Sequence, residues 1–161
     1  MLLDNNADIT QCDPIGRSPL YTACAWGHAE VVDILLKRKR NADVLHDVKG
    51  YSALHIACYS GHIAPVMLLL KHDFPISQED KSGQTPLLLA CKAGHTDIVK
   101  FLLDKIADAN KRDNNGRSAL YVASREGHLE IVHILLEYMA DPDIRIMMVC
   151  FRRKWLGRTT H

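Results

Sequence analysis

Apolar residues return along this chain in two alternating patterns. In EVVDILLKR, TDIVKFLLDK and LEIVHILLEY they fall at i, i+3 and i+4: Val31, Ile34 and Leu35, then Ile98, Phe101 and Leu102, then Ile131, Ile134 and Leu135. That spacing predicts an amphipathic helix with one apolar face. IAPVMLLLKH is the fourth such segment, and its Pro65 lies in the first turn, where a missing N–H does little harm. Before each of these helices the sequence predicts a shorter one. It opens at a hydroxyl residue (Ser18, Ser52, Thr85 or Ser118) followed by Pro19, Ala53, Pro86 or Ala119. Serine and threonine cap helix N-termini, and proline is tolerated at the first helical position. The first short helix runs only to Gly27, nine residues after Ser18, where glycine accommodates the left-handed turn that closes a helix. Polar stretches such as ADANKRDNNG have the composition of turns or hairpins.

These elements recur at a fixed period. Gly-His pairs stand at Gly27-His28, Gly61-His62, Gly94-His95 and Gly127-His128, spaced 34, 33 and 33 residues apart. Each pair follows another glycine (Gly16, Gly50, Gly83, Gly116) by eleven residues, and each of those follows an aspartate (Asp13, Asp47, Asp80, Asp113) by three. Two short helices and a turn cannot enclose a core alone, so neighbouring units must stack and share an apolar layer; four copies exceed the usual minimum of about three.

The unit D-x-x-G-x-[ST]-[PA]-L-x-x-A-x-x-x-G-H-x-x-x-V-x-x-L-L resembles the ankyrin repeat. The resemblance implies an all-α solenoid of stacked helix-turn-helix units with β-hairpin or loop fingers. It divides the chain into a partial repeat at 1–12, repeats at 13–46, 47–79, 80–112 and 113–145, and an irregular basic and apolar tail at 146–161. It also implies a non-catalytic scaffold or adaptor that binds a protein partner on its concave face, with no cofactor.

Several positions depart from the repeat pattern. Glycine usually ends the second helix, but Lys39, Asp73, Ile106 and Met139 hold those places. A non-glycine residue in the left-handed region costs about 1 kcal/mol, and β-branched Ile106 suits it worst. The linker KRKRNAD has extra residues and HDFPIS lacks the usual Ala-Asp, so both junctions are expected to be irregular. The histidine found five residues after the first glycine survives only as His55, replaced elsewhere by Tyr21, Leu88 and Tyr121. Leu2 and Leu3 align with Leu102 and Leu103, so the chain is expected to start inside a second helix. The tail IRIMMVCFRRKWLGRTTH either folds back as a cap through Ile146, Met147, Val149 and Phe151 or marks one piece of a longer array.

Composition narrows the function. At 161 residues, 47% hydrophobic and 24% charged, the chain reads as a globular domain or repeat array. No apolar run reaches the ~18 residues of a membrane span, and Asp4 interrupts any leader core, so the expected address is cytoplasmic or nuclear. The net charge of +1 makes nucleic acid an unlikely partner for the chain as a whole. Its distribution is uneven: residues 145–161 carry five basic and no acidic side chains, which leaves the first 144 at −4. With Lys37-Arg38-Lys39-Arg40, that tail leaves open a targeting role through nuclear or nucleic-acid contact, and a regulatory fragment of a larger protein is a further alternative.

Metal and catalytic readings meet a geometric objection. Cys24, Cys58 and Cys91 occupy equivalent places in successive units, roughly 8–10 Å apart by helix packing, whereas zinc needs its sulfur ligands within ~2.3 Å of one point. The four Gly-His histidines fail the same test. No GxSxG, HExxH or phosphate-loop glycine pattern occurs, so no catalytic, cofactor or metal residue is assigned.

Partner contacts are expected at the variable positions: Ile15, Arg17, Ala25 and Trp26 in the first repeat, and Lys49, Tyr51, Tyr59 and Ser60 in the second. The third offers Lys81, Gln84 and Lys92, and the fourth Asn115, Arg117, Arg125 and Glu126, with Arg112 extending the last basic edge. Trp, Tyr and Arg dominate binding anchors, which favours Trp26, Tyr51, Tyr59, Arg117 and Arg125. The chain is expected to be monomeric unless its uncapped ends associate.

Overall fold

The computed structural model describes residues 9–38 and 46–138. Eight helices occur in these stretches, arranged as four antiparallel pairs: α1 (Pro19–Ala25) with α2 (Ala29–Arg38), α3 (Ala53–Ser60) with α4 (Ile63–Lys71), α5 (Pro86–Ala93) with α6 (Thr96–Asp104), and α7 (Ala119–Glu126) with α8 (Leu129–Glu137). The pairs stack in chain order as an all-α solenoid, first helices against first helices and second against second.

Each first helix begins where its hydroxyl residue predicts. The side-chain oxygens of Ser18, Ser52, Thr85 and Ser118 accept the backbone N–H of Tyr21, His55, Leu88 and Tyr121 at 3.1–3.4 Å. Gly61, Gly94 and Gly127 close α3, α5 and α7 in the left-handed conformation, while α1 ends one residue sooner, at Trp26.

The fingers between pairs are built by the recurring aspartates. The Oδ1 of Asp13, Asp47, Asp80 and Asp113 accepts two backbone N–H groups, from the second and fourth residues onward, at 2.7–3.0 Å. Such side-chain capture of backbone donors is the reason aspartate folds tight turns. Adjacent fingers are joined by single backbone bonds from Val48 N to Ile15 O, Lys81 N to Lys49 O and Asn114 N to Ser82 O, 3.0–3.1 Å long. Pro14 holds the corresponding donor position in the first finger and has no N–H to give. Among the described residues, extended pairing is limited to an isolated bridge between Arg112 and Ser118.

Burial corrects the apolar face assigned to α2. Val31 and Ile34 are 46% and 48% exposed; Leu35 is buried as expected, but it is joined in the core by Val32 and Leu36. The cause is the stack. The counterparts of Val31 in the inner and last pairs, Pro65, Ile98 and Ile131, are buried. That position therefore faces the preceding pair, and for α2 no pair among the described residues precedes it. Leu136 is exposed at the other end for the mirror reason, whereas its counterparts Leu36 and Leu103 are buried and Leu70 is partly buried.

Asp73 and Ile106 close α4 and α6 at φ 62° and 66°, in the strained region that their sequence positions predict. The junction HDFPIS is not irregular. Phe74 N bonds to Leu69 O as Ala107 N bonds to Leu102 O, and the buried Phe74 ring occupies the place of the missing alanine. Residues 1–8 of the partial repeat at 1–12, Lys39, the linker beyond Arg38, Met139 and the tail at 146–161 lie outside the described residues.

Candidate functional site

The first helices pack on one another more closely than the second helices do. The fingers and the ends of the first helices share one side of the stack, the side that the repeat resemblance implies is concave. Every sequence-selected contact residue except Arg112 belongs to these fingers or first helices.

Their side chains divide into two groups. In one, the side chain is bound to its own array. Arg17 and Arg117 each pair with the finger aspartate four residues earlier, at 2.6 Å to Asp13 and 2.6 Å to Asp113. Gln84 donates to Asp80 Oδ2 at 3.1 Å, and Arg112 donates to Gly116 O at 3.4 Å. The Tyr51 ring stacks on His55 with centroids 5.8 Å apart. The Arg117 guanidinium and backbone donors hold the Asp113 carboxyl below its ordinary range against the opposing effect of burial. In the other group the side chain is presented to solvent. Trp26 is 72% exposed and Tyr59 45%, at the ends of α1 and α3; Lys92, Arg125 and Glu126 stand at the ends of α5 and α7. Ile15, Lys49, Lys81 and Asn115 are exposed on the fingers, with Lys81 Nζ 2.9 Å from Val48 O. Val48 is also exposed there and is absent from the sequence-derived set, although it is the register equivalent of Lys81.

Several groups capable of chemistry are committed to packing. Ser52 and His55 form a hydrogen-bonded pair, Oγ to Nδ1 2.8 Å, but both are buried and the serine is a helix cap. Cys24, Cys58 and Cys91 are buried at successive first-helix contacts, and burial pushes the Cys24 thiol up to about 12 and raises the other two as well. His62, His95 and His128 lie over Gly27, Gly61 and Gly94 of the preceding pairs. The Nε2 atoms of His95 and His128 reach Tyr59 O and Lys92 O at 3.0 and 3.3 Å. A shallow depression lined by Cys12, Pro19, Thr22, His28 and Val31 opens on the exposed face of the first pair.

A family model described as "Ankyrin repeats (3 copies)" matches residues 1–80 and 66–146. The chain belongs to the ankyrin-repeat family. No curated protein matches it. Ankyrin repeats are in general protein–protein interaction modules and are typically non-enzymatic. Among the described residues no helix is long and apolar enough to cross a membrane.

Proposed function

We propose that this ankyrin array is a non-catalytic docking scaffold that holds a protein partner on its concave side. The observation that carries the reading is the exposure of Trp26 and Tyr59 on neighbouring first helices of that side. Large aromatic rings offer much contact area for little conformational entropy, and such rings are over-represented among side chains whose truncation costs a complex most of its affinity. Rigid stacking of the helix pairs beneath them keeps the surface preorganised, which lowers the ordering cost of association.

The reading is tested by crosslinking and mass spectrometry in the native cell, followed by pull-down with purified partners. A folded Trp26→Ala, Tyr59→Ala double variant is expected to lose those partners. A Met67→Ala control alters an exposed residue of α4 in the outer layer and is expected to retain them. Equal recovery by native chain and double variant removes the concave-side assignment.

A further inference from the structure

The concave side changes character along the stack. Its first half presents mainly apolar groups, Ile15 and Val48 on the fingers and Trp26 and Tyr59 at the helix ends, with Lys49 as an exposed cation among them. From α5 onward the exposed charges are mainly cationic: Lys81 on the finger, with Lys92 at the end of α5 and Arg125 at the end of α7 in the place that Tyr59 holds in α3, while exposed Asn114 and Asn115 on the last finger are uncharged. The acidic groups among them are mostly spent. Asp80 and Asp113 are buried within their fingers and accept backbone donors, and Asp113 also holds Arg117. Glu126, 3.6 Å from Arg125, is the exposed carboxylate at this end of the strip. Lys92 makes no ion pair among the described residues, and Lys81 Nζ meets an uncharged carbonyl.

The length of the strip follows from packing. Equivalent positions on stacked helices are roughly 10 Å apart, so three steps from the end of α1 to the end of α7 cover about 30 Å. An extended backbone advances ~3.3 Å per residue, so about nine residues span it.

We propose that the partner binds through an extended acidic segment of about this length. An aromatic or large aliphatic side chain seats between Trp26 and Tyr59, and Asp or Glu carboxylates further along meet Lys81, Lys92 and Arg125. This rests on the docking function proposed above. The apolar half supplies buried area, and the cationic half sets which way the segment lies, because reversal places carboxylates on the aromatic rings. A polyanion such as RNA fits the strip less well: the cations are few, Glu126 stands among them, and the whole chain is only +1.

The test pans the full 161-residue chain against phage-displayed random peptides of about twelve residues and measures the enriched sequences as labelled peptides by fluorescence anisotropy. Enriched peptides are expected to carry an aromatic or leucine residue followed by paired Asp or Glu. Lys92→Glu with Arg125→Glu is expected to weaken them about tenfold, as the loss of two surface ion pairs implies, and peptides with lysine in place of the carboxylates are expected to recover that loss. Peptides that depend on Trp26 and Tyr59 but ignore the charge reversal overturn the acidic segment and leave the docking reading standing. Peptides indifferent to both pairs overturn the docking reading itself. Tighter binding of a labelled single-stranded RNA than of any acidic peptide overturns the proposal in favour of nucleic acid. All four substituted side chains are exposed, so circular dichroism is expected to show an unchanged fold.

Discussion

His55 reaches from its own repeat to the backbone of the next: its Nε2 lies 3.1 Å from Gln84 O. Its Nδ1 accepts the Ser52 N–H at 3.2 Å, so that nitrogen carries no proton and the Nε2–H donates across the repeat boundary. The neutral ring is thereby satisfied on both sides, and protonation would set an N–H against the Ser52 N–H.

Burial, the largest influence, lowers the His55 pKa, while Gln84 O and the charge of Asp80 oppose it and His46 adds to it. A histidine whose folded pKa is depressed binds fewer protons folded than unfolded. Its neutral-state stability is therefore complete above the unfolded value of about 6.5 and falls as pH drops below it. Urea midpoints are expected to decline from pH 7 to pH 5, the unfolding free energy falling by no more than about 1.4 kcal/mol per pH unit for this group. His55→Gln is expected to be less stable at pH 7 and to have a flatter profile over that interval. An equally steep profile in the variant assigns the dependence to other groups.

Much of the fold is legible in the sequence because the repeat brings equivalent residues into register. Ser18, Ser52, Thr85 and Ser118 cap helices as their hydroxyls and neighbours predict, and Asp73 and Ile106 take up the left-handed backbone that the missing glycines imply. Val31 and Ile34 show where register is insufficient. Periodicity identifies a helix's apolar positions, but which of them are covered depends on the neighbouring pairs. HDFPIS shows the reverse, since a bulky Phe74 supplies the burial that the pattern assigns to alanine. At the candidate site, position along the repeat places the chosen residues on the fingers and first helices. It does not reveal that Arg17 and Arg117 are held by aspartates four residues away, or that Tyr51 leans on His55.

Two glycines with positive φ are expected to respond differently to alanine. At Gly61, φ 83°, an added Cβ meets the His95 ring at 2.5 Å, and that ring also bonds to Tyr59 O. At Gly116, φ 74°, it meets nothing within 4 Å among the described residues. Gly116→Ala is expected to cost only the backbone term, about 1 kcal/mol. Gly61→Ala is expected to cost at least about 1 kcal/mol more, because the displaced ring gives up its inter-repeat hydrogen bond. Denaturant titration of both variants measures the difference, and equal costs remove the His95 contact as a source of stability.

Ser124 takes the place that Cys24, Cys58 and Cys91 hold in the other repeats, and its buried Oγ has no hydrogen-bond partner among the described residues. A buried, unsatisfied hydroxyl costs about 1–3 kcal/mol of desolvation. Ser124→Ala removes that group and raises helix propensity, so it is expected to stabilise the array by about 1 kcal/mol or more. A decrease in the urea midpoint would show that the hydroxyl is satisfied in solution.

Ile106 and Asp73 offer a comparison in which the same backbone conformation is forced on two different side chains. Both close a second helix at positive φ, and Ile106 is 89% exposed, so its side chain contributes almost no burial to offset the strain. A β-branched residue in this region is crowded against its own backbone, at about 1–2 kcal/mol, whereas aspartate enters it more readily. Glycine relieves the crowding but returns part of the gain, about 0.5 kcal/mol, through the greater freedom of the unfolded chain. Ile106→Gly is therefore expected to stabilise by about 0.5–1 kcal/mol, a rise of about 1–4 °C in Tm for a chain of this size. Asp73→Gly is expected to gain less. Calorimetry of the two single variants checks the order, and a larger gain at Asp73 than at Ile106 would mean that side-chain crowding is not what strains these helix ends.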